Sequence, residues 1–407
     1  MLLARLALSC FAAMALWSVS ACMDGSTTPG AQQPSANIQP AETRPQVFGV
    51  NNFKPLPAAP QVDPVTQAAR DRILGPNAVD QSTVKLWWVG VSSFIVAGQG
   101  HVFLLDAWEI VGLHANYVPI GREELAAIKP EAILVGHGHF DHAADVGYVA
   151  GHSGAVVVAG STVCDLARQR AADAGLNATF PCVNLGDDTN TQPGSLQSLK
   201  LWEDLPEVTI LRHTHSAAEP TDLLSGGRPL VFIPDVLTYP TYLNTSPQET
   251  AAFLGSLRDD GGVGQPDGGT WAYHFQFGDF TLFWHDSAGV MKAGNPDSLA
   301  IQQAIARLPG CVDVQLNAIV GFGMVTSAYR DALAYVAAAH PKLALPTHHD
   351  AWAPGIGGGA KAYEQTWREA VASLPSPPAL DYLTDPMDYM KPRVFNINDP
   401  RWSGGCR

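Results

Sequence analysis

The stretch VGHGHFDHAADV, residues 135–146, brings three histidines and two aspartates together in one short piece of chain. Neutral imidazole and carboxylate are ligands that Zn²⁺ accepts readily. His137 and His139 are two residues apart and directly follow an apolar run. Extended backbone therefore puts both rings on one side, where they can reach one ion. Asp141 and His142 come next, where the chain bends toward a helix and can face a second ion. One loop does not complete a two-metal site. LRHTHS (211–216), FWHDSAG (283–289) and LPTHHD (345–350) offer further ligands. Each lies just past an expected strand, where α/β proteins gather their chemistry.

The elements that must position these residues follow from the patterning. VKLWWV, SSFIVA and HVFLLD (84–106) are β-branched and aromatic runs separated by glycine-containing turns, and read as consecutive strands beginning near residue 84. A helix is expected at 122–128, ended by Pro130, then strands at 132–135 and 155–159 and a helix at 161–174. Further strands are expected up to 211 and at 271–277, 281–284, 312–316 and 343–345, with helices at 298–308 and 326–340. Residues 217–270 are punctuated by Gly, Pro and Asp and read as an insertion. The order fits a layered α/β protein with one buried core.

The chain has 407 residues, 46% of them hydrophobic, and a formal net charge of -14. That charge argues against nucleic acid as a partner, because backbone-charge recognition needs basic patches. At the start, Arg5, an apolar run at 6–17 and Val19-Ser20-Ala21-Cys22 resemble a bacterial lipobox. The expected organisation is a lipoprotein signal peptide at 1–21, a flexible tether at 22–60 and one domain at 61–407. Lipid on Cys22 would anchor it to the membrane of the cell envelope, facing the periplasm. Cys164, Cys182, Cys311 and Cys406 lie outside any CxxC spacing. The expected pairs are Cys164 with Cys182 and Cys311 with Cys406. His101, His114, His152 and His274 stand alone and read as core or surface residues. No Gly-rich phosphate loop and no nucleophile elbow at Ser92 or Ser93 is present.

HGHFDH matches the HxHxDH signature, and about 84–352 resembles the metallo-β-lactamase-fold hydrolases. The similarity is greatest to the branch of ascorbate-6-phosphate lactonase-like proteins and N-acyl phosphatidylethanolamine phospholipase D, where a segment similar to LALPTHHDAW carries the final histidine. The resemblance implies an α/β, four-layer αββα sandwich holding two divalent metal ions, with Zn²⁺ favoured and iron or manganese compatible. It implies that His137, His139 and a histidine of HTHS hold one ion. Asp141, His142 and a histidine of PTHH would hold the other, with Asp286 bridging. Alternation does not separate His213 from His215. The family's small or hydroxyl residue after its ligand favours His215, and its bulky residue after the final ligand favours His348 over His349. Where the family often has a glycine before the bridging aspartate, this chain has His285.

The implied activity is hydrolysis of a lactone, ester or phosphodiester, on a small-molecule or lipid-like substrate, by a metal-bridging hydroxide. Asp141 or Asp286 would shuttle a proton, and His285 or His349 would donate to the leaving group. A β-lactamase and a non-catalytic metal-binding envelope scaffold are the alternatives. Oligomeric state is not legible in the residues.

Overall fold

The apolar runs are buried on both faces, the mark of strands enclosed between other layers. In Thr83–Gly90, Leu86 and Trp88 join one buried cluster while Trp87 and Val89 join another. The computed structural model describes residues 47–59, 61–109, 118–218, 267–352 and 359–403, with isolated positions between 247 and 255.

In chain order the strands are β1 (Val47–Gly49), β2 (Thr83–Gly90), β3 (Ser93–Gly98), β4 (His101–Leu105), β5 (Ala132–Leu134), β6 (Val156–Ala159) and β7 (Cys182–Asn184). There follow β8 (Leu196–Leu199), β9 (Val208–His213), β10 (Thr270–Phe277), β11 (Phe280–His285), β12 (Val314–Ala318), β13 (Leu343–Thr347), β14 (Ala379–Leu380) and β15 (Arg393–Asn396). Among the described residues, one sheet has the order β1-β7-β6-β5-β4-β3-β2-β15 and the other β14-β13-β12-β11-β10-β9-β8. Between the sheets lies a core that includes Leu86, Trp88, Phe103, Trp271, Tyr273 and Trp284. Helices cover both outer faces. Val146, Val149, Val163 and Ala167 pack on the first sheet, and Ile301, Ala304 and Tyr335 on the second. The result is the expected αββα sandwich. β9 and β11 are both antiparallel to β10, and β11, β12 and β13 are parallel, so β9, β11 and β13 all end at one edge.

Several expectations need correction. β1 lies inside the stretch read as a tether and pairs in parallel with β7. Order also precedes residue 84 in the helix Pro64–Leu74, whose start is fixed by Asp63 accepting from the Val65 and Thr66 amides. The helix expected at 326–340 is two helices, Phe322–Ser327 and Arg330–Ala339, because Ala328 at φ 49° breaks the helical path. A further helix, Ala360–Ala372, buries Tyr363, Trp367 and Val371 at helical spacing. Cys164 and Cys182 are joined, with Cα atoms 6.1 Å apart. Cys311 is disulfide-bonded, and its expected partner Cys406 lies outside the described residues. So do His114, the signal segment 1–21, Cys22 and most of the expected insertion at 217–270.

His101 shows how a lone histidine becomes structural. It is fully buried in β4, with Nδ1 2.6 Å from Glu131 Oε2 and Nε2 2.9 Å from Asp204 Oδ1. Burial opposes its charge, but the two carboxylates outweigh burial and raise its pKa above the usual value. A pKa raised on folding contributes stability that is fully present below the unfolded value of about 6.5. That contribution is lost as pH rises through the folded value. His101→Gln is therefore expected to cost about 2 kcal/mol near pH 6, less than breaking a fully buried pair because Asp204 is partly exposed. Denaturant unfolding across pH checks this, and a gap to wild type that does not narrow at alkaline pH would reject the charged pairing.

Candidate metal centre

The site is assembled from strand ends. His137 and His139 follow β5, and the helical turn Phe140–Ala143 immediately presents Asp141 and His142. His215 lies two residues past β9, Asp286 one past β11 and His348 one past β13. The shared edge of the second sheet brings the last three together, and the sheet-to-sheet packing sets them against the loop after β5.

Three groups of ligand atoms result, each with its atoms within 4.8 Å of one another: His137, His139 and His215; His137, His142 and Asp286; Asp141, His142 and His348. His137 Nε2 is 3.0 Å from His139 Nδ1, and the His215 ring centroid is 4.5 and 4.6 Å from those of His137 and His139. Asp286 Oδ2 lies 2.6 Å from His137 Nδ1 and 3.4 Å from His142 Nδ1, so it stands between the outer groups. Asp141 Oδ2 is 3.5 Å from His142 Nε2 and 3.4 Å from His348 Nε2. His139 and His215 are half-buried and the other five are buried, so the cluster reaches solvent on the His139 and His215 side.

The electrostatics suit cations. Burial lowers the His142 and His215 pKa values well below the usual imidazole range. Burial, then the neighbouring His139, brings His137 down to about 3. Their lone pairs are therefore free at neutral pH, as metal binding requires. Burial opposes ionisation of Asp141, yet His142 and His348 outweigh it and hold its carboxyl below the usual range. His348 is the exception, kept protonated more readily by its bond to Asp141 despite burial. Asp286 is raised to about 6, chiefly by burial. Its Oδ1 is buried with no hydrogen-bond partner among the described residues. Orphaned buried acceptors are rare in folded proteins, and a cation satisfies this one. The donor set fits two divalent ions.

The neighbouring histidines go elsewhere. His213 is fully buried, with Nδ1 3.0 Å from the Tyr335 hydroxyl. His349 stacks on Trp88, and its Nε2 donates to the Leu383 carbonyl at 2.8 Å. His285 has Nδ1 on the Ser287 carbonyl and Nε2 on the Gln315 amide. These partners correct the expectation that His285 or His349 donates a proton to a leaving group. Both rings are built into the packing.

Two residues escaped the sequence reading. Asp106 directly follows β4, its Oδ2 2.7 Å from His142 Nδ1 and its Oδ1 accepting from the Gly136 amide at 2.9 Å. It orients His142 so that Nε2 faces Asp141. Burial, then the charge of Asp286, raises its pKa well above the usual range. Its position at a strand end, like that of the ligands, was a usable signal. Gly136 lies so close to Asp286 that a Cβ there would meet the carboxylate carbon at 2.0 Å.

Residues 86–218 match the family profile of the Metallo-beta-lactamase superfamily. A UPF0173 metal-dependent hydrolase of Pyrobaculum neutrophilum is 33% identical over 75 residues, covering 18% of this chain and 32% of that protein. One from Methanosphaera stadtmanae is 26% identical over 128 residues, covering 30% of this chain and 52% of that protein. The chain thus spans 32% to 52% of the length of these curated relatives. Among solved structures, Igni18, a metallo hydrolase from Ignicoccus hospitalis, is similar with a TM-score of 0.45 and 16% identity. That similarity covers 77% of this chain and 98% of that one.

Proposed function

We propose that this chain, which carries a metallo-beta-lactamase superfamily domain, is an exported dinuclear metal-dependent hydrolase acting on a lactone, ester or phosphodiester. The observation that carries the reading is the sharing of His137 and His142 between adjacent ligand groups, with Asp286 between them. His137, His139 and His215 would hold one ion, and Asp141, His142 and His348 the other. Two divalent ions held there would supply Lewis acidity and activate a water for attack near neutral pH. The chain's own part is to fix the ligand atoms, keep the imidazoles of His137, His142 and His215 deprotonated and exclude water from the buried side. Asp141 and Asp286 are the carboxylates that would hold or pass on a proton at the scissile bond.

The rim supports a substrate with apolar surface. Phe322, 43% exposed, lies with its ring 6.1 Å from His215, and the Trp352 ring lies 5.3 Å from His348 on the other side. Export through a signal peptide at 1–21 and anchoring by lipid on Cys22 are part of the proposal. The Cys164–Cys182 bond supports them, because disulfides persist in oxidising compartments. No helix among the described residues is long and apolar enough to cross a membrane.

Removing metal is the direct test. Dialysis against a chelator is expected to abolish turnover of a panel of lactones, aryl esters and bis-aryl phosphates, and readdition of Zn²⁺ to restore it. Elemental analysis should find about two ions per chain, the number that a two-metal clamp requires. Hydrolysis that survives complete metal removal would end this reading.

A further inference from the structure

Behind the ligand cluster, on the outer face of the second sheet, lies a polar group that the proposed chemistry does not use. His213 ends β9 and His285 ends β11; both are fully buried, as are Gln315 of β12 and Tyr335 of the helix Arg330–Ala339. The Tyr335 hydroxyl is 3.0 Å from His213 Nδ1. Its ring stacks on His285, with centroids 4.6 Å apart and planes 27° apart. His285 in turn donates from Nδ1 to the Ser287 carbonyl at 2.9 Å and accepts at Nε2 from the Gln315 amide at 3.1 Å. Burial pushes the Tyr335 phenol well above its usual pKa, so the hydroxyl keeps its proton beside His213.

These contacts fall beside two ligands. His213 is two residues before His215, and His285 is one before Asp286. Both ligands lie past the last ladder residue of their strands, so the sheet alone does not hold them. The two segments are also stitched directly: the Ser216 amide donates to Ser287 Oγ at 3.0 Å. Gly289 sits so near Thr214 that a Cβ on it would come within 2.1 Å of the Thr214 carbonyl oxygen. Tyr335 touches both segments from a helix that carries no ligand.

We infer that Tyr335 is a positioning residue which, through His213 and His285, sets the spacing of His215 and Asp286 before metal arrives. The inference rests on the ligand assignment proposed above. It has a physical motive: ligands held in place in the metal-free protein need no ordering when the ion binds, and groups that orient ligands are worth about 10–100-fold in metal affinity.

The test uses Tyr335→Phe, which keeps the stacked ring and removes the hydroxyl. Metal-free wild type and variant are titrated with Co²⁺ in competition with a chelator, while the visible absorption reports ligand geometry. The expected result is at least about tenfold weaker binding with a changed spectrum. The unfolding temperature of the metal-free protein should change little, and its rise on adding Co²⁺ should shrink. His213→Gln breaks the same contact from the other side and should reproduce the loss even if Tyr335→Phe does not fold. Wild-type affinity and spectrum in the variants would overturn the clamp and leave the ligand assignment standing. Failure of the wild type itself to bind Co²⁺ would overturn both.

Discussion

His142→Ala is expected to fold and to lose hydrolytic activity by about a thousandfold or more, a loss of about 4 kcal/mol in transition-state stabilisation. His142 belongs to two of the three ligand groups, and its ring contacts Asp141, Asp286 and Asp106. No nearby side chain can replace it, since His349 packs on Trp88 and His285 on Tyr335. The fold should survive for a specific reason. Asp106 loses its imidazole partner, but burial already pushes its carboxyl toward the neutral form, and Gly136 still donates to Oδ1. Asp141 loses one partner but keeps His348 at 3.4 Å, so no uncompensated buried charge, the usual cause of severe loss, is left. The remaining cost is a cavity of about 2–3 kcal/mol, within the 5–15 kcal/mol or so of a typical domain. Metal content should fall to about one ion per chain, and circular dichroism should match wild type. A folded, fully active variant would reject the assignment.

The second large effect needs only one carbon. A Cβ on Gly136 would lie 2.0 Å from Asp286 Cγ and 2.1 and 2.4 Å from its two oxygens. The glycine cannot retreat, because its amide donates to Asp106 and its carbonyl accepts from the Trp271 amide at 2.7 Å. Asp286 must move instead, away from His137 and His142. A misplacement of about 1 Å in a reacting arrangement costs about a hundredfold in rate. Gly136→Ala should lose at least that much activity and bind metal more weakly. Gly49→Ala is the matched control, since nothing lies within 4 Å of a Cβ there. It should stay within about 0.5 kcal/mol of wild type in stability and keep full activity. Equal behaviour of the two variants would show that close approach at Gly136 is not what places Asp286.

Much of the fold was legible because its strands are short β-branched and aromatic runs cut by glycine turns, and β2, β3 and β4 fall where VKLWWV, SSFIVA and HVFLLD predict. The helix Pro64–Leu74 was missed because its apolar periodicity is weak and its start depends on an aspartate cap. β1 was missed because a strand of three residues among Pro, Gln and Thr carries too little pattern to register, and it exists through pairing with β7. Such pairing is a tertiary property.

By itself the sequence determined the loop. Spacing of two in extended chain puts His137 and His139 together, and the helical turn that follows brings Asp141 and His142 round, so four candidate ligands follow from local geometry. Only the tertiary structure decided between neighbouring histidines. Alternation would place His213 and His215 on one side, but β9 ends at His213, and beyond it the chain is free to send His215 to the opposite side. His348 sits at φ 61°, a turn that faces it to Asp141 and sends His349 toward Trp88. On β11, His285 faces the outer helices and Asp286 the cluster, a choice made by which face of the sheet meets the first. Asp106 and Gly136 matter for the same reason: each acts on a residue that only the packing of the two sheets brings near.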